Sequence, residues 1–467
     1  MPRTFREAIQ LTRRLGIAYL WIDALCIVQD DKDDWAREAM RMADIYSCSY
    51  LTLAAAHAAS GHDGLLPTHP YFTSRQLVSQ TGGAYHVLSR AVLPKRQYAD
   101  ATLPEEELPL FSRGWVCQET ALSPRTLICG RDEVAWACRQ SWERQYGREI
   151  EVKHGRMAVS GSSISFKSLA YYARLQAEER LDIRLQSQLQ GAWKSMVTAY
   201  TSMAFTKEDD RPAALAGIVS VFQDAWGADS YLAGLWKRHA VYKASEDDMQ
   251  GLLHHLAWYS DTHRDPSGSS STSLNAMATQ QPPTWSWLSH RGRVQFVPAQ
   301  HLRETTRVCE AFCEPSSAQM SLIEVRGGRL VLSGPAVWGE YVPGQDTATR
   351  PQALTRGEIV FGLFSEIGMS GPLNIPERSF DDSFKSALVL DRTGSLGHGT
   401  GAPAVQVLCL SLFLYEFLNG SVAKHAMILK PSAAQGFFER VGLAKVCIKN
   451  GSQDPFAGAP DMDATIV

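Results

Sequence analysis

The sequence predicts an α/β N-terminal domain built on a parallel sheet, followed by a helical region and a β-rich C-terminal region. Three observations carry that reading. Two nearly unbroken apolar runs, "AYLWIDALCIV" at 18–28 and "YLTLAAA" at 50–56, flank an amphipathic stretch, which is the order of a βαβ unit with a right-handed crossover. A tract from 167 to 260 is rich in Gln, Ala, Leu, Glu and Arg, the composition of helices. After residue 284 come short runs of β-branched and apolar residues separated by turn residues.

In order along the chain, Phe5, Ile9 and Leu15 stand at helical spacing and Gly16 supplies a stop, so a helix is expected over 5–15. The run "AYLWIDALCIV" then reads as an interior strand buried on both faces. Asp30, Asp31, Asp33 and Asp34 sit where the positive end of a helix dipole favours them, and Trp35, Ala39, Met42 and Tyr46 form one stripe of the helix that follows. "YLTLAAA" is expected as a strand parallel to the first. From Ser60 to Pro109 the pattern loosens into an insertion. It resumes with a short helix over Gln118–Leu122 ended before Pro124, and with strands "RTLICG" and "EVAWAC" joined by a turn at Gly130, Arg131 and Asp132.

These signals divide the chain into an α/β domain over 1–145, a mainly helical region over 146–263, a Ser/Pro-rich loop over 264–283 and a β-rich domain over 284–467. No internal repeat is present. At 467 residues the chain is long enough for two or three cores. Its 46 Lys and Arg balance 49 Asp and Glu, so it lacks the basic field that binds nucleic acid. No stretch has the roughly 20 apolar residues of a membrane span, and the N-terminus lacks the apolar core of a signal peptide. A cytoplasmic protein with nine reduced cysteines is expected.

Asp23 is the anomaly of the first run. A carboxylate inside a buried strand must be paired or hydrogen-bonded, which makes Arg113 or Arg125 the expected partner. Two roles follow: an ion pair locking the sheet to the "RGW" segment, or a wall of a nucleotide crevice at the strand's carboxyl end. Ser60 and Gly61, in "SGHDG", follow the second strand, where a loop could bring backbone to a phosphate. The spacing matches no phosphate motif, so a loop cap is the expected role. Trp21, Trp35, Trp115 and Trp136 offer faces for a base but are expected in the core. Cys309 and Cys313 lack a second ligand pair at zinc spacing, and the adjacent His254 and His255 point to different sides of a helix, so no metal site is expected. Neither a nucleophile elbow nor a metalloprotease motif occurs.

The blocks "YLWIDALCIVQDD", "DWAREAMRMADIYSCSYLTLAAAHAASGHDGLL" and "RGWVCQETALSPRTLICG" resemble the three signature blocks of the fungal heterokaryon-incompatibility (HET) domain. Downstream, "DDRPAALAGIVSVF", "YLAGLW", "PTWSWLS" and "FFERVGLAKV" resemble the C-terminal half that often follows it. The resemblance implies an effector of nonself recognition that triggers programmed cell death through protein partners, with homo-oligomerisation as a further expectation. Family members begin with an extra strand and a Trp-Gly turn upstream of the first helix, so the resemblance implies a domain short of its first strand.

HET domains are also likened to Toll/interleukin-receptor (TIR) domains, whose enzymatic members cleave NAD with a Glu a few residues after a Trp. Here Glu119 stands four residues after Trp115, with Gln118 beside it. The likeness implies NAD as a substrate, with no cofactor. Glu119 would hold the ribose hydroxyls and offset the charge of an oxocarbenium-like state. The structural alternative is a Glu119 paired with Arg113 or Arg125 or bonded to backbone near its helix start. Three functions thus stand: a death effector acting by assembly, an NAD glycohydrolase that the missing strand would leave weak, and an inert HET-derived scaffold.

Overall fold

Gly16 takes φ +70° and closes the first helix, α1 (Arg3–Arg14), as the sequence predicts. The computed structural model describes residues 1–66, 73–78, 84–89, 108–131, 133–139, 141–145, 167, 171, 175, 178, 183–227, 230–237, 249–260, 282–297, 302–315, 325–343, 357–360, 387–390, 405–416, 420–448 and 454–467. They form two compact units, Met1–Ala225 and Trp226–Val467. Most of the predicted loop over 264–283 lies outside the described residues.

The first apolar run is the main correction. Residues 17–22 join no sheet, and Asp23–Cys26 forms a single helical turn, α2, instead of an interior strand. The backbone satisfies itself locally there: the Leu25 and Cys26 N–H groups donate to the Ile22 carbonyl and the Ile27 N–H donates to that of Asp23. Asp23 is exposed rather than buried. Its carboxylate accepts from the N–H of Ala24 at 2.8 Å, and among the described residues it forms no ion pair with Arg113 or Arg125. A local turn with water on one side removes the desolvation cost that made a buried partner necessary.

The acidic turn behaves as expected. Asp31 caps α3 (Lys32–Ser47) by accepting from the N–H groups of Asp33 and Asp34. The next strand, β1 (Thr52–Ala54), is parallel not to the first run but to β4 (Arg125–Cys129), with Thr52 opposite Thr126 and Ala54 opposite Ile128. Between them lie a separate hairpin, β2 (Thr73–Val78) with β3 (Ala84–Ser89), and the helix α4 (Gly114–Leu122). Strands β5 (Val134–Cys138) and β6 (Trp142–Arg144) complete a mixed sheet in the order β1-β4-β5-β6, with one parallel and two antiparallel pairings. The sheet is buried on both faces. Ala54, Ile128, Ala135 and Ala137 pack with Leu108, while Leu53, Leu127 and Cys129 pack with Ala8 and Leu11 of α1. Two long helices, α5 (Ile183–Thr201) and α6 (Arg211–Trp226), realise the predicted helical tract.

The second unit opens with short strands β7 (Tyr231–Leu232) and β8 (Leu235–Trp236). Its helix α7 (Gly251–Leu256) is followed by the pair β9 (Trp258–Ser260) and β10 (Val294–Phe296). Its main sheet comprises β11 (Arg303–Glu304), β12 (Arg307–Pro315), β13 (Val325–Pro343), β14 (Gly357–Val360), β15 (Ala387–Leu390), β16 (Val405–Glu416), β17 (Val422–Pro431), β18 (Phe438–Ile448) and β19 (Asp461–Ile466). The antiparallel pattern predicted for the C-terminal region is present, with one exception: β18 and β19 meet in parallel. Pairing runs β13-β16-β17-β18-β19 and returns to β13, so the sheet closes on itself, with the β18–β19 junction made at a single pair, Phe438 opposite Ile466. Tyr341, Val407, Cys409, Ile428, Val446 and Phe456 fill one core. No helix among the described residues is long and apolar enough to cross a membrane.

Candidate functional site

The helix α4 carries three of the residues singled out in the sequence, and they go different ways. Glu119, four residues after Trp115, lies on the same side of the helix, and it is the contact each side chain makes that separates Gln118 from them. Gln118 is buried, and its side-chain oxygen accepts from the backbone N–H of Gly217 in α6 at 2.8 Å. It is therefore a packing anchor. Trp115 meets the Trp35 ring of α3 edge-on at 6.1 Å and its indole N–H donates to Asp210 at 3.3 Å. Trp21 meets Tyr46 in the same way at 5.9 Å.

Glu119 is partly buried and shares a hydrogen bond with Tyr46 at the far end of α3, the phenol donating and the carboxylate accepting. Enough protein surrounds the carboxyl that burial pushes its pKa up to about 7. The Tyr46 hydrogen bond opposes that shift, the negative charge of Asp23 adds to it, and the positive charge of Arg113 opposes it. Tyr46 in turn is held protonated, first by burial and then by the neighbouring Glu119. The thiol of Cys117, two residues earlier, is pushed up to about 12 by burial and is no nucleophile.

The structure thus joins Glu119, Asp23 and Arg113 electrostatically, and adds Tyr46, which the sequence reading placed only on a helix stripe. The signal that could have found it is that stripe itself: Trp35 and Tyr46, eleven positions apart, both reach α4 residues spaced four apart. Arg125 goes elsewhere, its guanidinium lying 5.0 Å over the ring of Tyr50. Ser60 and Gly61 lie in a hydrogen-bonded loop: Asp63 accepts from the Ser60 N–H at 2.8 Å, and the Gly61 carbonyl accepts from the N–H of Thr4 at the start of α1. The end of α4 is fixed by Lys167, whose ammonium donates to the carbonyls of Thr120 and Ser123 and to the Thr126 hydroxyl.

Two carboxyls in one electrostatic neighbourhood, one held near neutrality by burial and one exposed, are the arrangement that divides proton-transfer and charge-stabilising roles between acidic groups. This defines a mixed α/β domain whose candidate centre is a carboxyl–phenol pair between α3 and α4. Residues 1–119 match the family described as heterokaryon incompatibility protein (HET), and Asp23, Tyr46, Arg113 and Glu119 all lie inside the matched span. No curated protein and no solved structure matches the chain.

Proposed function

We propose that this protein is an effector of fungal nonself recognition whose HET domain promotes cell death by cleaving NAD, with Glu119 as its catalytic carboxylate and a TIR-like arrangement of the domain. The observation that carries the reading is a carboxyl of pKa about 7 that keeps a side open to solvent and lies beside a second carboxylate. Breaking the bond between ribose C1 and the pyridinium nitrogen leaves the electron pair on nicotinamide, which departs neutral and needs no proton. The positive charge passes to the ribosyl oxocarbenium, which ionised Glu119 and Asp23 offset. Water adds at C1, and Glu119 takes its proton. Tyr46 holds the Glu119 carboxylate in place.

The purified chain is incubated with NAD and nicotinamide release is followed. Glu119→Gln should lower the rate on the order of a hundredfold, the usual loss for one charge-stabilising group. No release above background from the folded native chain would refute the enzymatic reading.

A further inference from the structure

Glu119 rides on α4, and the start of that helix is built from two distant stretches of chain. The N–H of Gly114 donates to the Ala204 carbonyl at 2.9 Å and the N–H of Ala204 donates to that of Ser112 at 2.6 Å, so Arg113 and Ala204 form a parallel bridge. One of the N–H groups that a helix start leaves without a partner is satisfied in this way. Beside the bridge the half-buried ring of Phe205 is seated on Gly114, where a Cβ would collide with Cζ, Cε1 and Cε2 of the ring. Only a glycine admits it. The ring is held in turn, edge-on to Tyr200 of α5 at 5.5 Å and beneath the Arg211 guanidinium at 5.7 Å. The Tyr200 hydroxyl donates to the Arg211 carbonyl, which ties together the two ends of the connector between α5 and α6. That connector also supplies Asp210, which accepts from the Trp115 indole at 3.3 Å.

The connector over 202–210 lies outside the matched span 1–119, yet it grips α4 on the turn that precedes Glu119. Trp115, held by the connector through Asp210, stands four residues before Glu119 on the same side of the helix. A tilt of the helix start is therefore carried to the Glu119 carboxyl and to its hydrogen bond with Tyr46. We infer that the connector governs this site, with Phe205 as the positioning residue that holds Glu119 against Tyr46. Its role in the reaction rests on Glu119 being the catalytic carboxylate. Its hold on the placement of Glu119 does not.

Chemical unfolding of the full chain at about pH 5 and about pH 8, each protein compared with the same protein carrying Glu119→Gln, reads the placement without using activity. With Glu119 enclosed beside Tyr46, Asp23 and Arg113, the Gln substitution should gain in relative stability as pH rises. Phe205→Ala and the milder Phe205→Leu should each shrink that pH-dependent difference by about half or more, since a Glu119 released from its setting reaches water. A ring that served packing alone would lower stability equally at both pH values, and an unchanged difference would overturn the proposal. Gly114→Ala should act like Phe205→Ala. The double variant should be less impaired than the two effects added, because the new methyl then enters space the ring has left, and strict additivity would show that the two residues do not touch. In nicotinamide release, Phe205→Leu should lower kcat on the order of tenfold or more with KM little changed. An active chain whose kcat ignores the substitution would overturn the role in the reaction. A shrunken pH difference in a chain that releases no nicotinamide would support the positioning and refute only the enzymatic reading.

Discussion

Gln118 gives its side-chain carbonyl to the backbone N–H of Gly217 at 2.8 Å, and the glycine is what allows the approach. A Cβ at residue 217 would stand 2.6 Å from the Cβ of Ala43 and 2.9 Å from the Gln118 oxygen. Helices α3, α4 and α6 therefore meet at one point, one residue from Glu119.

Gly217→Ala should be destabilising, because the Cβ of Ala43 cannot move without its helix. Overpacking of this kind costs about 1–3 kcal/mol, and thermal unfolding should show a lowered Tm. Gln118→Ala tests the other side of the contact and should cost a similar amount through the lost buried hydrogen bond. Unchanged melting in both variants would show that the helices do not meet as described.

Lys167 closes α4 with three donations, at 3.0 Å to Thr120, 3.1 Å to Ser123 and 2.7 Å to the Thr126 hydroxyl. The carbonyls at the end of a helix lack partners within it, and a cation there also answers the dipole. Lys167→Met keeps the length and removes the donors. A loss on the order of 1–3 kcal/mol is expected, measured by urea unfolding at constant m-value.

Arg440 is the corresponding fixture of the second unit. It is almost wholly buried, donates to the Leu256 carbonyl at 2.6 Å and to that of Trp258, and lies 3.8 Å over the Trp258 ring. Arg440→Lys retains the charge but not the planar fork that reaches two carbonyls and stacks on an indole. It should lower the stability of this unit substantially, by about 2 kcal/mol or more, with the change visible in tryptophan fluorescence during unfolding.

Which parts of this architecture were legible follows from where the information lies. Local chemistry predicts α1 with its Gly16 stop, the acidic start of α3, the hairpin of β4 and β5, and the strands of the C-terminal sheet, because each depends on residues a few positions apart. The run "YLWIDALCIV" misled because continuous hydrophobicity fits a buried strand and an exposed turn with one inward face equally well, and only the presence of a partner strand decides between them. Asp23 was misplaced with it. Glu119 was singled out in the sequence, but its contact with Tyr46 spans 73 positions and depends on how α3 crosses α4, which no local pattern encodes. The same is true of Gln118 and Gly217.

The last prediction concerns the pH dependence that Glu119 confers. Its pKa in the folded chain is raised, chiefly by burial, from an ordinary 4.5 to about 7. Between those values the unfolded chain has lost the proton and the folded chain keeps it, so the folded state binds more protons and stability falls as pH rises. The contribution is fully present below about pH 4.5 and lost by about pH 7, with a slope of up to about 1.4 kcal/mol per pH unit that solvent access to this partly open group will reduce. Glu119→Gln, which cannot ionise, should flatten the stability curve across that window and make the variant more stable than the native chain at pH 8. The two should converge near pH 4.5. Chemical unfolding of both proteins at a series of pH values checks the sign. A native curve that rises from pH 5 to 7 with the same slope as the variant would mean that Glu119 is ionised in the folded state throughout, paired rather than held neutral.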